Sequence, residues 1–323
     1  MKTLLRSAFM GACVLSAAVR AQSPDLLADR VSVTVLTTNT ADLGVGGQQG
    51  VTQGEWSFAA WVEVGDRAIL FDTGWSPDNV LANAETLGID LSVAEDLVLS
   101  HHHDDHTGGL ETLRRELSKK NPAALSRIHV AEGIFRSRPL ADGGERNSMP
   151  ALRDRIEATG ATFIIYDRPT EISPGVWVTG PVPRVHEETN YPVGPNWQVV
   201  GDDGRQVADT VPDSQSLVIV TPDGQIMLSG CGHAGLVNTL EYVSTRISDH
   251  PPQAAIGGFH LYAATSEVMS WTSERIADLG LRHFVGAHCT GIESVFTIRE
   301  WRVSTVIPLE LAPSGHAMKR VAV

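Results

Sequence analysis

The chain has 323 residues, of which 42% are hydrophobic, 20% charged and 6% aromatic, and its net charge is −13. That balance fits one large globular domain or two small ones and excludes a chain disordered over most of its length. The acidic surplus excludes a nucleic-acid backbone as an obligatory partner, because like charges repel.

Lys2 and Arg6 open the chain, an apolar run covers Ala8 to Val19, and Val19-Arg20-Ala21 has the small-residue spacing of a signal-peptidase site. This reads as a signal peptide over residues 1–21, followed by one domain over 22–323, and implies a periplasmic or secreted protein. The run is too short to span a bilayer and too short before Cys13 for a lipoprotein signal, and no later segment is apolar enough, so no membrane anchor is expected. Cleavage would leave Cys231 and Cys289. Both stand in motifs with a functional look, which favours two free thiols over the disulfide an oxidising compartment allows.

Val31 to Thr37 alternates as a strand. Trp56 to Val64, the turn Gly65-Asp66 and Arg67 to Phe71 read as a hairpin closed by Asp72-Thr73-Gly74. A helix is expected from Pro77 to Leu87, stopping at Gly88. Glu95 to Ser100 has the apolar middle of a short buried strand and leads into His101-His102-His103-Asp104-Asp105-His106. Gly108-Gly109 permits a tight turn, and a helix follows from Leu110. The cluster therefore sits on a loop at a strand end, where rigid scaffolds present reactive groups. Imidazole nitrogens and carboxylate oxygens are ligands that zinc prefers, and burying so many ionisable groups unpaired is costly. The internal position and the paired aspartates exclude a purification tag.

Strands are expected at Ile128–Ala131, Thr162–Tyr166 and from Val176, with a helix over Pro150–Ala158. Residues 181–212, rich in Pro, Gly, Asp and Asn, form a long irregular stretch of the kind that serves as a binding loop or lid. Strands follow at Ser216–Val220 and Gln225–Ser229, then Gly230-Cys231-Gly232-His233, a helix over Leu236–Ile247, a strand ending at His260, a helix over Ser266–Leu279 and a last strand from His283 to the His288 segment. Strands first, then strands alternating with helices, imply sheets covered by helices. His233, His260 and His288 each follow an apolar strand, and strand ends on one rim converge. His102, His129, His186, His250, His283 and His316 lack that context and read as ordinary.

Ser100-His101-x-His103-x-Asp105-His106-x-Gly108-Gly109 resembles the signature of the metallo-β-lactamase superfamily. Leu70-Phe71-Asp72-Thr73-Gly74 resembles its early aspartate motif and His288 its late histidine. Asn83 to Asp90, Gly230 to Asn238, Gly257-Gly258-Phe259-His260-Leu261 and His288-Cys289-Thr290-Gly291 look like the branch labelled dihydropterin-ribofuranosyl-aminobenzene-phosphate synthase-like metal-dependent hydrolases. The resemblance implies an α/β (α+β) fold, an αββα sandwich, with two divalent metal ions on one rim: zinc, or alternatively manganese or iron. It assigns His101 and His103 to the first ion and Asp105, His106 and His288 to the second, with Asp72 orienting a histidine. His233 is the choice for the remaining ligand of the first ion. No histidine stands just before Ser216, where many members carry one, so Cys231 and Asp213 stay open as alternatives.

Two such ions can share a hydroxide that attacks a carbonyl or phosphorus, with Asp105 orienting it and His260 protonating the leaving group. The expected function is a secreted hydrolase acting on a small-molecule ester, lactone, amide or phosphoester. Trp56, Phe58 and Trp197 are candidate substrate walls. A pterin-related synthase and a non-enzymatic metal- or ligand-binding protein of the same fold are the alternatives.

Overall fold

The computed structural model describes residues 30–39, 52–188, 197–300, 305–308 and 321–322. The expected signal peptide lies outside them. Among the described residues no helix is long and apolar enough to cross a membrane.

The first half builds β1 (Val31–Thr37), β2 (Ala59–Val64), β3 (Arg67–Phe71), α1 (Asn79–Thr86), β4 (Asp96–Val98), the single turn α2 (Asp104–Thr107), α3 (Leu110–Lys120), β5 (Arg127–Ala131), α4 (Met149–Glu157) and β6 (Thr162–Tyr166). The second half builds β7 (Thr170–Ser173), β8 (Val176–Val178), β9 (Gln198–Val200), β10 (Gln206–Ala208), β11 (Ser216–Thr221), β12 (Gly224–Ser229), α5 (Leu236–Arg246), β13 (Pro252–Gly257), α6 (Ser266–Asp278), β14 (His283–Gly286), α7 (Ile292–Glu300), β15 (Thr305–Pro308) and β16 (Val321–Ala322).

The strands form two seven-stranded sheets, ordered β16-β1-β2-β3-β4-β5-β6 and β15-β14-β13-β12-β11-β8-β7. Each sheet joins an antiparallel hairpin to a run of parallel strands. β2 and β3 pair antiparallel, and β4, β5 and β6 continue in parallel. β11 and β12 pair antiparallel, and β13, β14 and β15 continue in parallel. Alternation along the strands divides their side chains between layers. Ile69, Phe71 and Val98 face Ile226, Leu228 and Ile256 in the core between the sheets. Leu70 and Leu97 turn outward to meet Leu110, Leu113 and Leu152, while Met227 and Ala255 meet Leu240 and Ile276 on the far side. The result is helices, sheet, sheet, helices: the expected αββα sandwich.

Two expectations need correction. The histidine cluster is not all loop: Asp104 to Thr107 form a helical turn entered from His103. The stretch 181–212 is not wholly irregular either, since β9 and β10 pair within it.

Candidate metal centre

Parallel strands carry their reactive residues past their carboxyl ends. Asp72 follows β3, the cluster His101–His106 follows β4, Cys231 and His233 follow β12, His260 follows β13 and His288 follows β14. Asp72, His260 and His288 adopt left-handed backbone, with φ of 56°, 50° and 47°. That conformation costs a non-glycine residue on the order of 1–2 kcal/mol, so the surrounding fold over-determines it, as at functional sites generally.

The side chains gather in two adjoining groups. One ligand atom each from His101, His103 and His233 lie within 4.8 Å of one another, and the same holds for Asp105, His106, Cys231 and His288. His101 Nε2 faces His103 Nδ1 at 2.9 Å. The His101 ring lies 4.7 Å from that of His233 and 4.4 Å from that of His106, joining the two groups. His106 Nε2 is 3.2 Å from Cys231 Sγ, and Asp105 Oδ2 is 3.2 Å from His288 Nε2. His106, His233 and His288 are almost wholly buried.

Asp72 orients both groups. Its Oδ2 accepts from His106 Nδ1 at 2.8 Å and from the Ser100 hydroxyl at 2.7 Å, while its Oδ1 accepts from Ser100 N. The Ser100 hydroxyl has one hydrogen and gives it to this carboxylate. Its contact with His101 Nδ1 at 2.9 Å therefore receives a hydrogen from the ring. Both histidines are thus protonated on Nδ1 and turn the Nε2 lone pair inward. A carboxylate behind the imidazole is how metal-binding histidines are held. The donor set is of the kind that holds divalent cations such as zinc. Gly230 makes the arrangement possible: a Cβ there would stand 2.1 Å from Ser100 Oγ and 2.5 Å from Asp72 Oδ2.

Burial and neighbouring imidazoles hold His101 and His233 well below the usual histidine range, and burial does the same for His103. These rings are neutral, the form that ligates. Burial alone would raise Asp105, but His106 and His288 outweigh it and hold its carboxyl well below the carboxylate range. Burial pushes the Cys231 thiol up.

All six residues expected at the metals come together, and His260 joins them through its ring, 4.7 Å from that of His233. His260 also forms a compact group with Cys231 and Cys289, both free and buried. Asp213 is engaged elsewhere. Its carboxylate accepts from His102 N at 2.9 Å and from Arg138 at 2.5 Å, and Arg138 in turn bonds Asp209. His102 contributes through that anchor rather than to either donor group. Phe58 is no substrate wall: it is fully buried between the sheets, edge-on to Phe71. Trp197 lies under the Arg146 guanidinium, 4.6 Å from its ring centroid. Trp56 does border the centre, its ring 5.0 Å from that of His288. Sequence reading missed Tyr262 and Arg138. Tyr262 stands two residues beyond His260 and could have been found from that spacing, whereas no local pattern marks Arg138.

The metallo-beta-lactamase superfamily model matches residues 57–277. The chain belongs to the metallo-β-lactamase superfamily. Among the curated members it resembles, 7,8-dihydropterin-6-methyl-4-(beta-D-ribofuranosyl)-aminobenzene-5'-phosphate synthase of Methanocaldococcus jannaschii is 32% identical over 231 residues, covering 71% of this chain and 77% of that one. An uncharacterized protein of the same organism is 26% identical over 273 residues, covering 81% and 92%. Among solved superfamily structures, a metal-dependent hydrolase superposes with a TM-score of 0.68 at 24% identity, over 90% of this chain and 100% of the other. The fold protein YhfI from Bacillus subtilis superposes with a TM-score of 0.52 at 13% identity, over 89% and 98%. These likenesses agree with the sandwich fold.

Proposed function

We propose that this superfamily member is a hydrolase dependent on two divalent metal ions, zinc foremost, acting on an ester, lactone, amide or phosphoester of a small molecule. The observation that carries the reading is the pair of adjoining donor groups, His101/His103/His233 and Asp105/His106/His288 with Cys231, oriented by one carboxylate. Cations bound there would acidify a water and stabilise negative charge developing on the electrophile. Asp105 keeps some contact with solvent, and in this reading its carboxylate accepts a hydrogen bond from the attacking water and orients it. His260, also slightly open, gives a proton to the leaving group. We further propose export to the periplasm or beyond, supported by the pattern of residues 1–21. Cell fractionation and N-terminal sequencing test that export.

The test of the reaction is metal analysis of the purified protein coupled to an ester, lactone, lactam and phosphodiester panel. Hydrolysis that chelation removes and zinc restores, and that His106→Ala abolishes, is the expected result. An inert, fully loaded protein, or full activity in His106→Ala, overturns the reading. A pterin-related synthase is the second reading, favoured by the name of the 32% identical relative. Turnover of that relative's substrates with none on the hydrolytic panel would select it.

A further inference from the structure

Two large aromatic rings stand half in solvent at the edge of the metal centre. Trp56 is 45% exposed and Tyr262 is 51% exposed. Their ring centroids are 5.8 Å apart at an interplanar angle of 86°, so the rings form a corner. Each ring also touches a histidine of the centre: Trp56 meets His288 at 5.0 Å, and Tyr262 meets His260 at 5.2 Å. Aromatic rings normally bury most of their surface, and an exposed apolar surface beside a reactive centre marks a binding site.

The backbone on both sides of the corner is pinned. Glu55 accepts hydrogen bonds from Trp75 N, Ser76 N and the Ser57 hydroxyl, which fastens the segment bearing Trp56 to the turn after β3. Tyr262 N donates to Cys289 O at 3.2 Å, and a Cβ on Gly291 would stand 2.7 Å from Tyr262 Cα. Gly291 therefore lets the segment after His288 lie against Tyr262. Rings held this way lose little freedom when a ligand stacks on them.

We propose that Trp56 and Tyr262 determine specificity by stacking a planar aryl or heteroaryl group of the substrate, and so set the adjoining scissile bond at the metals. The inference rests on the hydrolase reading for its chemistry, but the corner is tested by binding alone. A saturated ring of equal size is thicker, lacks a π-face and fits the corner poorly, whereas a flat ring can lie on one face and meet the edge of the other ring.

The probes are 2-naphthoate and its saturated counterpart decahydro-2-naphthoate, titrated calorimetrically into the zinc-loaded full chain, with acetate as a ringless control. Both rings carry the same carboxylate, so the difference between them isolates stacking. Naphthoate should bind about tenfold more tightly than its saturated counterpart, a size typical of one aromatic contact. Trp56→Ala and Tyr262→Ala should each remove most of that preference while leaving acetate binding, zinc content and melting temperature near wild type. Trp56→Phe and Tyr262→Phe should restore it. No naphthoate binding, equal binding of the two ring systems, or a preference that survives both alanine variants overturns the proposal. On substrates that turn over, Trp56→Ala should raise KM for aryl esters more than for alkyl esters. If nothing is hydrolysed while the naphthoate preference still depends on Trp56, the hydrolase reading falls and the corner stands.

Discussion

His106 Nδ1 lies 2.8 Å from Asp72 Oδ2, although the two residues stand 34 positions apart, one just past β3 and the other in α2. The contact fixes the tautomer of His106 and aims Nε2 at Cys231 and Asp105. Through Ser100 the same carboxylate fixes His101, so one residue outside both donor groups governs both.

Asp72→Asn tests this. Asparagine tolerates the left-handed backbone, but its amide can turn an N–H towards His106 and impose the wrong tautomer. Zinc affinity should fall about 10- to 100-fold, the usual effect of losing such a supporting partner, while the fold persists. Competition with a chromogenic chelator measures the affinity and circular dichroism the fold.

Gly230→Ala places a methyl group against Ser100 Oγ and Asp72 Oδ2. Relief of that overlap requires the supporting pair to move. We expect a loss of about 1–3 kcal/mol in stability, typical of over-packing, together with reduced zinc content. Urea unfolding and elemental analysis read the two effects separately.

Arg138 is fully buried between Asp209 and Asp213. Arg138→Leu would leave the buried Asp213 carboxylate without its guanidinium, while Asp209 keeps Arg146, and the expected loss is about 3–5 kcal/mol. Because Asp213 also holds His102 N, the loop carrying His101 and His103 should loosen in hydrogen exchange.

The two donor groups predict separable metal stoichiometry. His233→Ala should bind one zinc ion fewer than wild type, whereas Asp213→Asn should keep the full complement despite lower stability. Equal losses in both variants would place Asp213 among the ligands after all.

Asp96, far from the centre, predicts a pH effect. Burial works to raise its pKa, but hydrogen bonds from His129 and Arg127 lower it from 3.8 to about 2. The fold therefore favours the carboxylate. Its stabilisation is complete above the unfolded value of 3.8 and fades as pH falls towards 2. Taking about 1.4 kcal/mol per pKa difference of one, the contribution is about 2 kcal/mol near neutrality. Asp96→Asn should lose that amount at pH 6, and the gap to wild type should close as pH approaches 2 in thermal unfolding.

Local pattern carried much of this molecule. The β2–β3 hairpin is legible in alternation around Gly65-Asp66, α3 begins at Leu110 as expected, and α5 and α6 fall within a residue of their expected ends. α7 and β7 escaped notice because short, partly polar segments carry no strong period. Phe58 was misjudged because alternation does not say which face of β2's approach meets the second sheet.

The candidate ligand types were legible in the sequence itself, since His101, His103, Asp105 and His106 lie within six positions and their chemistry needs no distant context. Their division into two groups, the placing of His233 beside His101 rather than beside Asp105, and the engagement of Asp213 with His102 and Arg138 were decided only by the tertiary structure. Those relations depend on how two sheets bring the ends of β3, β4, β12, β13 and β14 to one rim, across separations of more than a hundred residues. The aromatic corner is of the same kind: Trp56 and Tyr262 meet only because one sheet packs on the other.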